Sequence, residues 1–240
     1  MRYHAKKPLS SIVHEDTAAI FPSLRLKFSR AGMADNKLSI TCPISGKILS
    51  TSTAFNEIGA TGFSRASVTS MDSALALSNS DFLCLVNADI TAATGGTLFG
   101  GATTDGGSIN VRPASSYSYY DANVIGSNYN TIPATTAGDL SAIGVAVSPS
   151  LDFGDKYAVF ADGTTAVEKD AGVITGTWNA ADWQINQSFG LGANAAITYH
   201  SLYVLEFVNG LPSDTIISQG MQWMAANRDK GLPPHWKDLV

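Results

Sequence analysis

The sequence has 240 residues, of which 45% are hydrophobic and 15% charged, so it has enough apolar surface for a folded core and is not a disordered chain. Its formal net charge of -5 excludes the concentrated positive charge on which nucleic-acid binding depends. No apolar run is long enough to span a bilayer and the N-terminus lacks the apolar core of a secretion signal, so we expect no membrane insertion and no signal peptide.

Many short segments have the alternating apolar pattern that is typical of β-strands. The predicted strands are Leu24–Phe28, Leu38–Thr41, Phe63–Val68, Phe82–Asn87, Thr97–Phe99, Ser108–Arg112, Trp183–Ile185 and Phe189–Leu191. Between them lie clusters of Gly, Ser, Thr, Asn and Asp, such as residues 91–96, 100–107 and 126–139, which we interpret as loops. Short strands separated so closely by turns favour an all-β sandwich or barrel.

The middle of the chain contains the clearest hairpin signal. Residues 139–150 place Ile143, Val145 and Val147 at period two, which predicts a strand. The dipeptide Asp162-Gly163 then separates two further short apolar runs. Both central positions of a type I′ turn need positive φ, and Asp-Gly tolerates this, so a hairpin with a two-residue loop is predicted.

A strongly apolar strand and then a helix are predicted near the end of the chain. Along Leu202–Val208 both alternating sets of residues are apolar, so this strand should be central and covered on both faces. Ser213 is the predicted N-cap of the helix, with Asp214 in its first turn. The predicted buried face of the helix is formed by Ile217, Gly220, Met221 and Met224, and Gly231 follows as a stop signal.

The segments just described occur in an order that resembles a known family. "SLYVLEFVNG" followed by "LPSDTI" and a helix is similar to the end of concanavalin A-like jelly rolls of the laminin G type, with the match over residues 202–223. "YAVFADGTTAV" resembles the hairpin of that family, and the likeness extends over residues 81–228. The ending "WMAANRDKGLPPHW" is similar to the tails of laminin G-like domains in virion proteins of tailed bacteriophages.

The resemblance implies a fold class and a division of the chain. We expect an all-β protein, an antiparallel β-sandwich of concanavalin A-like jelly-roll type with one short C-terminal α-helix. Residues 63–240 would form the laminin G-like sandwich with its helix. Residues 1–62 would be either extra strands integral to the sandwich or an arm that docks to a partner.

This family hosts several functions, so the resemblance leaves three hypotheses. The first is a non-enzymatic structural or adhesion protein on the virion surface of a tailed phage, as a head decoration, fibre or tail-surface component, assembled in the host cytoplasm. Its partners would be other virion proteins or further copies of itself, together with a host-surface glycan. The second is a carbohydrate-binding module, and the third is a glycan lyase or hydrolase.

The carboxylates do not have the pattern of a glycosidase. Jelly-roll glycosidases of this superfamily carry an E-x-D-x-x-E type pattern, because retaining hydrolysis needs two carboxyl groups about 5 Å apart. The four glutamates are Glu15, Glu57, Glu168 and Glu206. Only Glu168 has a carboxylate two residues later, Asp170, and no third acidic residue completes the pattern at position 173. We therefore expect no enzyme. Glu206, within the apolar strand, is interpreted as capped by a tyrosine or an arginine rather than as catalytic.

An aromatic cluster is the candidate binding surface. It lies in "YSYYDANVIGSNYN", and its members are Tyr117, Tyr119, Tyr120, Asp121, Asn123 and Tyr129. Aromatic rings stack on sugar faces while Asn and Asp bind hydroxyl groups, which would make a glycan platform. Tyrosine is equally common in protein interfaces, and this second interpretation is favoured.

Metal sites and disulfides have little support. The four histidines are His4, His14, His200 and His235, and their spacing does not suggest zinc. Calcium is implied only by the resemblance, and the loop residues that could hold it, Asp105, Asp121, Asn123, Asp152 and Asp155, show no ordered spacing, so no site is assigned. Cys84 should be a buried thiol, although a bridge to Cys42 stays open.

Overall fold

The computed structural model describes most of the β-strands and the C-terminal helix. The described residues are 24–64, 69–71, 81–90, 99–102, 108–113, 119–124, 127–133, 142–147, 157–161, 164–169, 184–185, 197–207, 211–227, 230–234 and 236. Side chains are described for 24–64, 81–89, 197–207, 211–227, 230–234 and 236. The predicted strand Phe189–Leu191 lies outside these residues.

Sixteen strands and one α-helix make up the described fold. The strands are β1 (Leu24–Ser29), β2 (Ser39–Thr41), β3 (Ile48–Ser50), β4 (Asn56–Ile58), β5 (Gly62–Ser64), β6 (Thr69–Met71), β7 (Asp81–Ile90), β8 (Phe99–Ala102), β9 (Ser108–Pro113), β10 (Tyr119–Val124), β11 (Ser127–Pro133), β12 (Ala142–Val147), β13 (Tyr157–Ala161), β14 (Thr164–Lys169), β15 (Gln184–Ile185) and β16 (Ile197–Phe207). The helix α1 spans Asp214–Ala226, and a 3-10 turn follows β1 at Arg30–Gly32.

The strands form two antiparallel sheets of eight strands each. The first sheet has the order β14-β13-β12-β7-β16-β5-β4, with β1 also paired to β16. The second has the order β11-β10-β9-β8-β15-β6-β3-β2. Both margins of the second sheet approach the first, because β2 contacts β1 and β11 contacts β14. Two antiparallel sheets with one short C-terminal helix are therefore confirmed as the coarse fold.

Strand β16 is central in the first sheet, as its two apolar faces predict. It pairs with β7 along ten residues, Asp81 to Ile90, and with β1 and β5 on its other side. On one face Leu85 and Tyr203 pack with α1 in a buried cluster. On the other face Cys84 and Val204 are also buried. Burial on both faces explains the unbroken apolar runs Phe82–Val86 in β7 and Leu202–Leu205 in β16.

Helix α1 has the buried face that the sequence predicts, consisting of Ile217, Gly220, Met221 and Met224. Ser213 occupies the predicted N-cap position with Asp214 in the first turn, although the side chain of Ser213 makes no capping hydrogen bond. Its carbonyl oxygen instead accepts the backbone N–H groups of Ile216 and Ile217. No helix in the described residues is long and apolar enough to cross a membrane.

The predicted hairpin is confirmed by the register of its strands. Ala161 pairs with Thr164 across β13 and β14, which leaves two residues, Asp162 and Gly163, for the loop. Strand β12, which was predicted around Val145, pairs with β13 on one side and β7 on the other. The turn signal therefore located both strands of the hairpin.

Several loop predictions are wrong. Residues 126–139 were interpreted as a loop, but Ser127–Pro133 forms β11 and pairs with β10. Strand β8 begins at Phe99 and continues through Gly100 and Gly101, which were assigned to a loop. These residues have low strand propensity, and pairing with neighbouring strands outweighs that propensity.

Candidate functional site

Three polar side chains from distant parts of the chain form one hydrogen-bonded chain. The hydroxyl oxygen of Thr61 lies 2.9 Å from Nδ1 of His200. The other ring nitrogen of His200, Nε2, lies 3.0 Å from Oδ2 of Asp89. Thr61 belongs to the loop between β4 and β5, Asp89 to β7 and His200 to β16. The imidazole therefore joins elements that flank β16 on both sides.

A β-bulge places His200 between its two partners. Tyr199 pairs with Ala88, whereas Ser201 pairs with Asn87, so His200 is the additional residue on β16. A bulge bends the strand and redirects the side chain of the additional residue, and bulges are common next to active sites. In a regular strand, side chains alternate strictly between the two faces of the sheet. The bulge interrupts this alternation at His200.

The two hydrogen bonds define which nitrogen carries the proton in a neutral ring. An ionised carboxylate only accepts hydrogen bonds, so Nε2 of His200 donates to Asp89. Nδ1 is then the acceptor, and the hydroxyl of Thr61 donates to it. Asp89 thus holds the imidazole in the tautomer that can remove a proton from Thr61.

The cluster is neither deeply buried nor freely exposed. The side chain of His200 retains 12% of its accessible surface and that of Asp89 retains 27%. Asn87, two residues before Asp89 on β7, donates from Nδ2 to the carbonyl oxygen of Met224 at 3.1 Å. Asp89 therefore lies on the face of the sheet that carries α1, beyond the point where the last turn of the helix contacts β7.

This cluster is not predicted from the sequence, in which His200 is one of four scattered histidines and neither Thr61 nor Asp89 has an assigned role. Each residue by itself is a polar residue in an otherwise apolar strand: Asp89 lies near the end of β7, and His200 lies within β16. Such residues are candidates for a functional site, but neither one indicates the other as its partner. Only the pairing of β7 with β16 brings these two residues together.

The predicted aromatic cluster lies mainly in two neighbouring strands at one margin of the second sheet. Strand β10 holds Tyr119, Tyr120, Asp121 and Asn123, whereas Tyr129 lies in β11. Tyr117 is outside the described residues. Asp121 and Asn123 were also considered as loop ligands for calcium, and their position in a strand corrects that assignment.

The register of these strands brings most of the predicted residues to one hairpin. Tyr120 pairs with Ile132, and Asp121 pairs with Thr131. The register shifts between Ala122, which pairs with Asn130, and Val124, which pairs with Ser127. One residue of β10, Asn123, is therefore opposite two residues of β11. An irregularity of this kind increases the local twist of a hairpin.

Glu206 is engaged in an ion pair. Its Oε2 lies 3.1 Å from Nε of Arg25, and Arg25 belongs to the neighbouring strand β1. The side chain of Glu206 is 19% exposed and that of Arg25 is 46% exposed. This agrees with the interpretation of Glu206 as a carboxylate capped by arginine.

A second charged cluster surrounds Glu57 on the edge strand β4. Its two carboxylate oxygens lie 3.0 Å from Nη2 of Arg30 and 2.8 Å from Nζ of Lys37. The hydrogen bond from Lys37, followed by the charges of both cations, holds the pKa of Glu57 below its ordinary value. Arg30 also donates to the carbonyl oxygen of Gly59, so this network is attached to the loop that carries Thr61.

Both cysteines are buried free thiols. Burial raises the pKa of Cys84 well above its ordinary value, so the thiol stays protonated. Sγ of Cys42 accepts hydrogen bonds from the backbone N–H groups of Lys27 at 3.3 Å and Ser45 at 3.5 Å. Among the described residues there is no group of three or more side chains suited to bind a metal ion.

Comparison with known proteins gives similarity of fold. No family model matches the chain, and no curated protein matches it. Among solved structures, Trypanosoma rangeli sialidase in complex with sialic acid matches with a TM-score of 0.62 and 10% identity, over 87% of this chain and 33% of that chain. The present chain therefore spans about a third of the sialidase chains that it matches.

Two further structures are single domains or binding regions. Domain 4 of AbnA, a GH43 extracellular arabinanase from Geobacillus stearothermophilus, in complex with arabinotriose, matches with a TM-score of 0.54 and 15% identity, over 82% of this chain and 97% of that domain. The binding domain of Paraclostridial Mosquitocidal Protein 1 matches with a TM-score of 0.58 and 11% identity, over 87% of this chain and 53% of that chain. At such identities the likeness concerns the fold alone.

Proposed function

We propose that this chain is a glycan-binding domain built on a lectin-like β-sandwich of concanavalin A-like jelly-roll type. The observation that carries the proposal is the match to domain 4 of the arabinanase, a structure in complex with arabinotriose, because the likeness covers 97% of that domain. The sialidase structures are matched over only 33% of their length. We infer a binding role for this chain from its likeness to that whole domain.

The proposed glycan site is the β10–β11 hairpin. Tyr119 supplies a ring for stacking on a sugar face, while Asp121 and Asn123, at alternate positions of the same strand, supply hydrogen-bonding groups. Tyr120 belongs to the other alternating set of β10, and Tyr129 lies on the neighbouring strand β11 at the margin of the second sheet. The domain would bind the glycan without cleaving its glycosidic bonds, because the sequence lacks a complete E-x-D-x-x-E pattern of glycosidase carboxylates.

Isothermal titration with arabinotriose and with sialic acid, after a glycan-array screen, tests this proposal. We expect at least one glycan to bind, and Tyr119→Ala to weaken its binding about tenfold or more through loss of stacking. Tyr157→Ala, at a strand tyrosine of the other sheet, is the matched control and should leave the affinity unchanged. Absence of binding to any glycan, or equal loss in both folded variants, would contradict the proposal.

The placement of this domain on a tailed-phage virion stays a prediction that rests on the sequence resemblance. The names of the three structures compared above describe a sialidase, an arabinanase and a mosquitocidal protein. A glycan-binding domain on a virion would serve adhesion to the host surface, so the two hypotheses are compatible. Identification of the chain in purified particles by mass spectrometry would test the placement.

A further inference from the structure

We propose that Thr61, His200 and Asp89 form an acyl-transfer site that hydrolyses esters of carboxylic acids. This activity does not depend on the proposed glycan site, and it departs from the expectation of a chain without enzymatic activity. Thr61 would be the nucleophile, His200 the general base, and Asp89 the residue that positions the imidazole.

The geometry meets two requirements of nucleophilic catalysis by a hydroxyl group. The nucleophile must be within hydrogen-bond reach of the base, and the distance from Thr61 Oγ1 to His200 Nδ1 is 2.9 Å. The base must be oriented by a third group, and Asp89 Oδ2 lies 3.0 Å from His200 Nε2. The carboxylate of Asp89 and the hydroxyl of Thr61 therefore bind opposite nitrogens of the His200 ring, as a base between a positioning group and a nucleophile requires.

Thr61 is half-buried, and it lies against His200 at the end of an exposed loop. Ile58 pairs with Gly62, which leaves Gly59, Ala60 and Thr61 as a three-residue loop. Gly59 has a φ of 58°, a left-handed conformation that favours glycine, and both Gly59 and Ala60 are exposed. A substrate can therefore reach the loop from the surface.

Gly62 holds the other side of this loop against β16. A Cβ atom at this position would lie 2.6 Å from the carbonyl oxygen of Ile58 and 2.8 Å from Cγ2 of Thr198. Only glycine lets the backbone at position 62 lie this close to Ile58 and Thr198. The preceding residue, Thr61, is thereby held next to β16 and within reach of His200.

The reaction proceeds in two balanced steps. Thr61 Oγ1 attacks the ester carbonyl carbon as its proton passes to His200 Nδ1, and the proton is then given to the departing alcohol when the ester C–O bond breaks. The acyl group is now bonded to Thr61. In the second step water attacks the same carbon and His200 takes a proton from the water. His200 returns this proton to Thr61 Oγ1 as the bond between the acyl carbon and Oγ1 breaks, and the carboxylic acid is released.

Hydrolysis of p-nitrophenyl acetate by the full chain, together with mass spectrometry after treatment with a fluorophosphonate, tests the site. We expect Thr61→Val and His200→Gln each to lose at least tenfold in rate, since positioned general bases contribute about 10² to 10⁴. Thr61→Ser keeps the hydroxyl and should retain activity. The fluorophosphonate should label the peptide that contains Thr61.

Matched controls separate catalysis from folding. Thr215→Val changes an exposed threonine on α1 and should leave the rate unchanged. Thermal unfolding of every variant shows whether it is folded. Asp89→Asn should slow acylation while the final extent of labelling stays the same, because a positioning residue affects the rate and not the number of sites. Equal hydrolysis by the wild type and a folded Thr61→Val variant, or the absence of label on Thr61, would overturn the proposal.

Discussion

At the scale of single residues, burial changes the ionisation of Tyr203. Tyr203 on β16 is 1% exposed, and burial raises the pKa of its hydroxyl from near 10 to about 12, with a smaller opposing effect from Ser201. The folded state therefore favours the neutral phenol more strongly than the unfolded state does. Its pKa is raised on folding, so the stabilisation is fully present below pH 10 and is lost as the pH rises through 12.

Replacement of Tyr203 by Phe tests this dependence. A shift from 10 to about 12 corresponds to roughly 3 kcal/mol of unfolding free energy lost across that pH range. The urea midpoint of the wild type should fall more steeply between pH 10 and 12 than that of Tyr203→Phe, which has no hydroxyl to ionise. The other tyrosines are common to both proteins, so the difference between the two curves isolates Tyr203. Parallel curves would show that the hydroxyl does not ionise differently in the folded state.

At the scale of elements, the segment that follows helix α1 packs against it through Trp236. The indole ring of Trp236 packs directly on Gly220, and a Cβ atom at Gly220 would overlap the ring. Both residues are buried in the cluster between α1 and the first sheet. A glycine in a helix interior costs about 1 kcal/mol relative to alanine, and the close approach of the ring compensates for this cost.

Gly220→Ala should therefore destabilise the protein, although helix propensity alone predicts the opposite sign. We expect a loss of about 1–3 kcal/mol from overpacking, measured by urea unfolding. Gln222→Ala, at an exposed position of the same helix, should change stability by less than about 0.5 kcal/mol. If Gly220→Ala stabilised the protein by the helix-propensity amount, the ring of Trp236 would not be packed on Gly220 in solution.

At the scale of the whole molecule, the N-terminal strands are shared between the two sheets. Strand β1 pairs with β16, β3 pairs with β6, and β4 pairs with β5. Their buried side chains include Leu26, Phe28 and Ile40, each with no exposed surface. Removal of these strands would expose the edges and faces of the sheets that they cover.

A version of the chain that begins at Gly62 tests how far the sheets depend on these strands. We expect it to lose cooperative unfolding and to aggregate, because it lacks β1 to β4 and their core residues. Near-ultraviolet circular dichroism and light scattering measure both outcomes, with the full chain as the reference. Light scattering of the full chain also tests the prediction of a homo-oligomer. A folded, monodisperse truncated protein would instead favour the hypothesis of a separable docking arm.

The sequence by itself determined the features that depend on near neighbours. The buried face of α1 at Ile217 and Met221 follows from helical period, and the central position of β16 follows from its two apolar faces. The two-residue loop at Asp162-Gly163 follows from turn chemistry. Where local propensity was weak, as in Ser127–Pro133, the strand was missed, because cross-strand pairing rather than composition stabilises it.

Only the tertiary structure decided which distant residues meet. His200 and Thr61 are 139 positions apart, and His200 and Asp89 are 111 positions apart, yet all three form one hydrogen-bonded chain. Likewise, the contact of Trp236 with Gly220 depends on the path of the chain after α1. Hydrophobic period and turn type act over a few residues, whereas strand partners and bulges are selected by the burial of the whole sheet. The candidate catalytic site therefore arises from strand pairing that no single segment of the sequence encodes.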